Sequence, residues 1–91
     1  MYKSKRIIVI GRVQGVFFRY YTHKKADELE VSGWVRNRPD GSVEIEVQGP
    51  DQNVDLLIDW CKSGSPASNV KEVIVEDLET NNIYQGFQII R

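Results

Sequence analysis

The chain reads as an α+β sandwich in which two helices cover one face of an antiparallel sheet, in the order βαββαβ. Three observations predict it. A β-branched block, Ile7 to Ile10, gives way to helical spacing from Phe18 onward. A strictly alternating segment, Val43 to Gln48, follows a Pro39-Asp40-Gly41 turn. A second helical period, Val54 to Cys61, is followed by further extended stretches.

Taken in order, Ile7, Ile8, Val9 and Ile10 lie between Lys5-Arg6 and Gly11 and predict a strand buried on both faces and central in the sheet. Phe18, Tyr21 or Thr22, Ala26 and Leu29 then share one helix side, with Lys24, Lys25, Asp27 and Glu28 largely opposite. Gly33 to Arg38 returns to extended character around Trp34 and Val35, and the proline and glycine of the next turn favour a hairpin. In its second arm Val43, Ile45 and Val47 face the core while Glu44, Glu46 and Gln48 are expected on a wet face. Asp51 is expected to cap the next helix, which buries Val54, Leu57, Ile58 and Cys61 and ends at Gly64. Val70 to Leu78 and Tyr84 to Ile90 read as two more strands, separated by a polar Thr80-Asn81-Asn82 turn. The order is βαββαβ with the last segment appended or split, the pattern of a ferredoxin-like α/β sandwich. Its strand-helix-strand crossover makes the first two strands parallel and brings Arg19 and Asn37 to the same sheet edge.

Ninety-one residues, 41% of them hydrophobic, suit a single domain over 1–91. A formal charge of -1 gives no strongly basic face, so nucleic acid is not an expected partner. One cysteine allows no internal disulfide or cysteine metal cluster, the apolar runs are too short to span a bilayer, and no secretory leader is evident at Met1 to Arg6. The expectation is a monomer in a reducing compartment, the cytoplasm.

The segment GRVQGVFFR, Gly11 to Arg19, joins a strand to a helix. Its glycines let backbone N-H groups converge, and the helix start and Arg19 add positive charge, so the segment has the parts of an oxyanion site. Asn37 has the strand parity of Val35, which turns its carboxamide toward the helix-covered side, where an unpartnered polar group is costly.

These residues, with GWVRNRPDGSVEIEVQG from Gly33 to Gly49, resemble both signature segments of the acylphosphatase family. Gly64-Ser65-Pro66 and Phe87-Gln88-Ile89 extend the resemblance over nearly the whole chain. It implies hydrolysis of acyl phosphates to a carboxylate and inorganic phosphate, with no metal and no cofactor. It also implies phosphate binding by Arg19 and the amides of Gly15, Val16, Phe17 and Phe18, and orientation of the attacking water by Asn37. Where the family's usual pattern has glycine after the first helix, this chain has Glu30, at a cost on the order of 1 kcal/mol if the backbone there is left-handed.

Other residues weigh less. Gln14 is equally suited to bracing the loop or to lying exposed. Phe17 and Phe18 read as core or loop anchors rather than base-stacking residues. His23 lies about a turn from Arg19, but with no evident carboxylate to orient it a surface role is favoured. Asp40, Glu44 and Glu46 read as turn and solubility residues, and Cys61 as core. Two other function classes are disfavoured: an anion-sensing domain without turnover, against which Arg19 and Asn37 together argue, and an RNA-binding domain, against which the acidic third strand argues.

Overall fold

The computed structural model describes residues 1–80 and 82–91. Seven elements follow one another: β1 (Tyr2–Arg12), α1 (Phe18–Glu28), β2 (Ser32–Asn37), β3 (Val43–Pro50), α2 (Asp51–Ser63), β4 (Asn69–Asp77) and β5 (Phe87–Ile89). The sheet runs β4-β1-β3-β2-β5. β1 is interior, as its β-branched block requires, but β3 holds the centre. Ile7 and Val9 face the helices with Val35, Val43, Ile45 and Val47, and all six are fully buried. Against them pack Phe18 and Ala26 of α1 and Val54, Leu57 and Cys61 of α2. Each large apolar side chain so buried contributes about 1.5–3 kcal/mol.

Three expectations need correction. The C-terminal strand covers three residues rather than Tyr84 to Ile90, and it lies at the edge opposite β4, parallel to β2, so the sheet is mixed rather than antiparallel. The turn expected at Thr80-Asn81-Asn82 includes Asn81, which lies outside the described residues. The chain reaches the far edge by crossing the helix-free face. Leu78 N donates to Ser4 O, Gln48 Nε2 to Asn82 O, Tyr84 N to Gln48 Oε1, and Gly33 N to Gly86 O. Phe87, only 5% exposed, then enters the core beside α1.

The second correction follows from that crossing. The polar side of β3 is not a wet face: Glu44 is 5% exposed, between Arg6 Nε at 3.2 Å and Arg36 Nη2 at 2.7 Å. Glu46 accepts a 2.5 Å bond from the Tyr84 hydroxyl, which together with burial pushes the phenol pKa up. Charge pairing replaces solvent on this face. Finally, Asp51 does not cap α2. It is the first helical residue, preceded by Pro50, and its N-H donates to Met1 O at 2.9 Å; without a capping bond, its carboxylate favours the helix start through the dipole.

At the end of α1 the Val31 N-H bonds to Ala26 O at 3.1 Å and the Glu30 N-H to Asp27 O at 3.2 Å. This is a Schellman closure, and it holds Glu30 at φ 56° where glycine would be unstrained.

Candidate active site

β1 and β2 are both antiparallel to β3, so they run the same way and their C-terminal ends meet at one edge, with Val9 and Asn37 flanking Val43. The segment leaving β1 begins at a register shift between Ile10 and Gly11. Gly11 has φ 137°, and a Cβ there would stand 2.2 Å from Asn69 O, so only glycine allows β4 this close. The buried side chains of Val13 and Val16 anchor the loop that follows. Gly15 (φ 74°) and Phe17 (φ 59°) take left-handed conformations that fold the loop back toward α1. For Phe17 this costs about 1–2 kcal/mol relative to a right-handed conformation.

Side-chain hydrogen bonds to neighbouring segments hold its shape. Gln14 Nε2 donates to Arg38 O at 2.7 Å and Ser42 O at 3.0 Å, which ties the loop to the β2–β3 turn. Buried Ser65 donates from Oγ to Val16 O at 2.8 Å, tying it to the end of α2. Asp40 Oδ1 accepts from the Ser42 hydroxyl at 2.6 Å and from its N-H at 2.9 Å; the hydroxyl bond, followed by the amide bond, holds the Asp40 carboxyl below its ordinary range.

Among the described residues, the amides of Gly15, Val16, Phe17 and Phe18 donate to no backbone carbonyl. α1 has no side-chain cap and no acidic residue in its first turn. The loop therefore presents unused N-H groups beside a positive helix end. A cleft of about 530 Å³ lies over it, and Arg19 and Asn37 both line this cleft with Gly15 and Phe17. Topology thus brings the two signature side chains together. Arg19 is half-buried and forms no ion pair among the described residues. Asn37 Oδ1 is buried and has no hydrogen-bond partner among them, a state that costs about 1–3 kcal/mol. Val16 is buried with its side chain in the core, so only its main chain is available to the cleft.

Residues missed in the sequence also reach this cleft: Tyr20 from the first turn of α1, and Ile89 and Arg91 from the C-terminal end. Ile89 and Arg91 line it because β5 pairs Ile89 with Val35; two residues further along the same register, Arg91 comes opposite Asn37. No local signal marks this, since it depends on β5 crossing the sheet. Ser65, the other omission, stood within a segment already noted, but only contact with the loop reveals its role.

The remaining candidates fall elsewhere. Phe18 is core, packed 5.4 Å from Trp60, whereas Phe17 anchors nothing and is 75% exposed. His23 does have a carboxylate: Asp27, one turn on, places Oδ2 3.6 Å from Nδ1. That pair is half-exposed, and His23 packs 6.3 Å from Phe87 rather than lining the cleft. Cys61 is fully buried, and burial pushes its thiol pKa up to about 12, which removes it as a nucleophile. No helix is long and apolar enough to cross a membrane among the described residues.

Comparison with known proteins shows the family and the fold. Residues 5–89 match the acylphosphatase family model. The chain is 48% identical over 86 residues to an acylphosphatase of Thiobacillus denitrificans, covering 94% of each chain. Its fold is similar to the crystal structure of acylphosphatase from Bacillus subtilis, with a TM-score of 0.94 and 41% identity over all of both chains. It is also similar to an acylphosphatase from Coxiella burnetii, with a TM-score of 0.92 and 35% identity over 98% of this chain and 93% of that one.

Proposed function

Because the chain belongs to the acylphosphatase family, we propose that it hydrolyses acyl phosphates at the cleft between the Gly15–Phe18 loop and the end of β2. One observation carries this reading: an unpaired guanidinium, a loop of unengaged amides and a carboxamide with a free acceptor converge on one cleft. The amides of Gly15, Val16, Phe17 and Phe18, with the Arg19 fork, bind the phosphoryl oxygens and stabilise the charge that redistributes in the transition state.

Asn37 orients the water. Its terminal torsion is soft, so a modest rotation offers Oδ1 to one water proton and aims the oxygen at phosphorus. The new P-O bond forms as the bridging P-O bond breaks, with its electron pair leaving on the carboxylate. The proton released by water passes to a phosphoryl oxygen, so a dianionic acyl phosphate and water yield a carboxylate and dihydrogen phosphate. The leaving group needs no protonation, which suits a site with no acid or base side chain assigned.

We read the reaction as metal-independent, because the loop and Arg19 supply the charge that a cation would otherwise bring. We place it in the cytoplasm on the strength of a buried, reduced Cys61, as a monomer without nucleic-acid partners at a net charge of -1. Benzoyl phosphate hydrolysis with and without chelator tests the reading, and turnover should be equal in both. Arg19→Ala should lower the rate at least about a hundredfold and abolish inhibition by phosphate. Phosphate binding without turnover would instead identify an anion-sensing domain.

A further inference from the structure

In a chain of net charge -1, the cleft over the Gly15–Phe18 loop is lined by two arginines, Arg19 and Arg91, and by no aspartate or glutamate among the described residues. The two reach it by different routes. Arg19 stands in the first turn of α1, whereas Arg91 follows β5, whose parallel register sets Val35 against Ile89 and carries Arg91 on toward Asn37. The bond from Ile90 N to Val35 O at 2.9 Å fixes the main chain up to that point. Elsewhere in the fold Arg6, Arg36 and Arg38 each face a carboxylate. Arg91, like Arg19, forms no ion pair among the described residues, and it is exposed. Its guanidinium is charged at every working pH, so the cleft holds two uncompensated positive charges.

A concavity with protein walls and lining charges of one sign focuses the field at its mouth and raises the local concentration of the opposite ion. The two arginines are not equivalent in this. Arg19 adjoins the loop amides, where the phosphoryl oxygens sit. Arg91 comes in along the bank formed by β2 and β5, and no partner holds its side chain at one hydrogen-bonding position. Building on the hydrolytic reading above, we propose that Arg91 steers the dianionic substrate into the cleft, while Arg19 and the amides stabilise the transition state. A steering charge favours the bound ground state and the transition state alike, so its contribution falls on KM and leaves kcat in place. It acts equally on any dianion, and it weakens as salt shortens the reach of the field.

The test combines benzoyl phosphate kinetics with calorimetric titration by inorganic phosphate, at ionic strengths of about 0.1 M and about 1 M, where the Debye length is about 10 Å and about 3 Å. At the lower salt Arg91→Gln should raise KM and the phosphate dissociation constant together, roughly three- to tenfold, at or below the low end of electrostatic focusing. Its kcat should stay within about twofold of wild type, since uniform binding alone is lost. At the higher salt the difference should shrink below about twofold. Arg91→Lys should restore wild-type behaviour, because a point charge suffices for steering. Lys3→Gln removes the same charge at the opposite end of β1 and should move neither constant. Unchanged KM and phosphate affinity in Arg91→Gln, a fall in kcat as large as the rise in KM, an effect undiminished by salt, no rescue by lysine, or an equal shift in Lys3→Gln would overturn the proposal. Failure of wild type to hydrolyse benzoyl phosphate would instead overturn the hydrolytic reading, and the phosphate titration would still decide the role of Arg91.

Discussion

Gln14 is the side chain whose removal best tests how the anion loop keeps its shape. Its amide donates twice, to Arg38 O and Ser42 O, across 24 and 28 residues of chain. Both carbonyls have a second donor: Arg38 O also accepts from Gly41 N at 3.1 Å, and Ser42 O from Arg38 N at 2.9 Å. Gln14→Ala therefore orphans neither acceptor, and the loss is the net value of two hydrogen bonds, about 1–2 kcal/mol in total. For a domain of this size that lowers Tm by roughly 5–15 °C. Because the loop amides are then held less firmly, phosphate should inhibit several-fold more weakly, with a matching fall in kcat/KM. Gln14→Glu sharpens the test. It keeps the shape but sets carboxylate oxygens against two carbonyls, so at neutral pH it should be less stable than the alanine variant. It should recover in acid, as the carboxyl takes up a proton and regains a donor. Thermal melts at several pH values and phosphate titration of both variants are the measurements. An alanine variant with wild-type Tm and phosphate affinity, or a glutamate variant as stable as wild type at pH 7, would refute the reasoning.

Other expectations follow from the same geometry. Asn37→Ala should lower kcat at least roughly tenfold while competitive inhibition by phosphate persists, and it should not lower Tm, because the acceptor it removes is unsatisfied. Parallel loss of kcat, phosphate affinity and Tm would make Asn37 structural. Glu30→Gly should raise stability by about 0.5–1 kcal/mol, the left-handed strain relieved less the added freedom of the unfolded chain, as a Tm gain of a few degrees with activity unchanged. Asp40 has a pKa below its ordinary 3.8 in the folded chain, so the unfolded chain binds protons first as pH falls. Its contribution is complete above that value and is lost as pH drops through the folded pKa, and Asp40→Asn should flatten the acid limb of the stability-pH curve below about pH 4. An unchanged slope would count against the turn's role.

The sequence exposed what depends on neighbours a few residues away. The periods of both helices, the Gly33–Gly49 hairpin and the loop with its two signature side chains were all legible, because period, turn chemistry and strand parity are local properties. Glu30 stood out only against the family resemblance, whose usual pattern has glycine after the first helix. What escaped depends on distant pairing. Glu44 alternates like a solvent-facing residue, and nothing near it in the chain tells that Arg6 and Arg36 will enclose it. The destination of Phe87 could not be read from a hairpin-like pattern, and with it went the approach of Ile89 and Arg91 to the cleft. Asp27 was different: it stands one turn from His23 in plain sight, and the i, i+4 rule would have paired them.

The brevity of β5 bears on how the cleft behaves in time. Three ladder residues, the Gly33–Gly86 and Val35–Ile90 bonds and one buried ring hold it to the edge of the sheet, far fewer attachments than secure the eleven residues of β1. Detaching it demands only a fraction of the free energy of global unfolding. The bank of the cleft formed by β5 can thus loosen while the loop before α1 stays tied down by Gln14 and Ser65. On the reading proposed above, water then enters over a yielding margin, while product phosphate leaves a fixed socket.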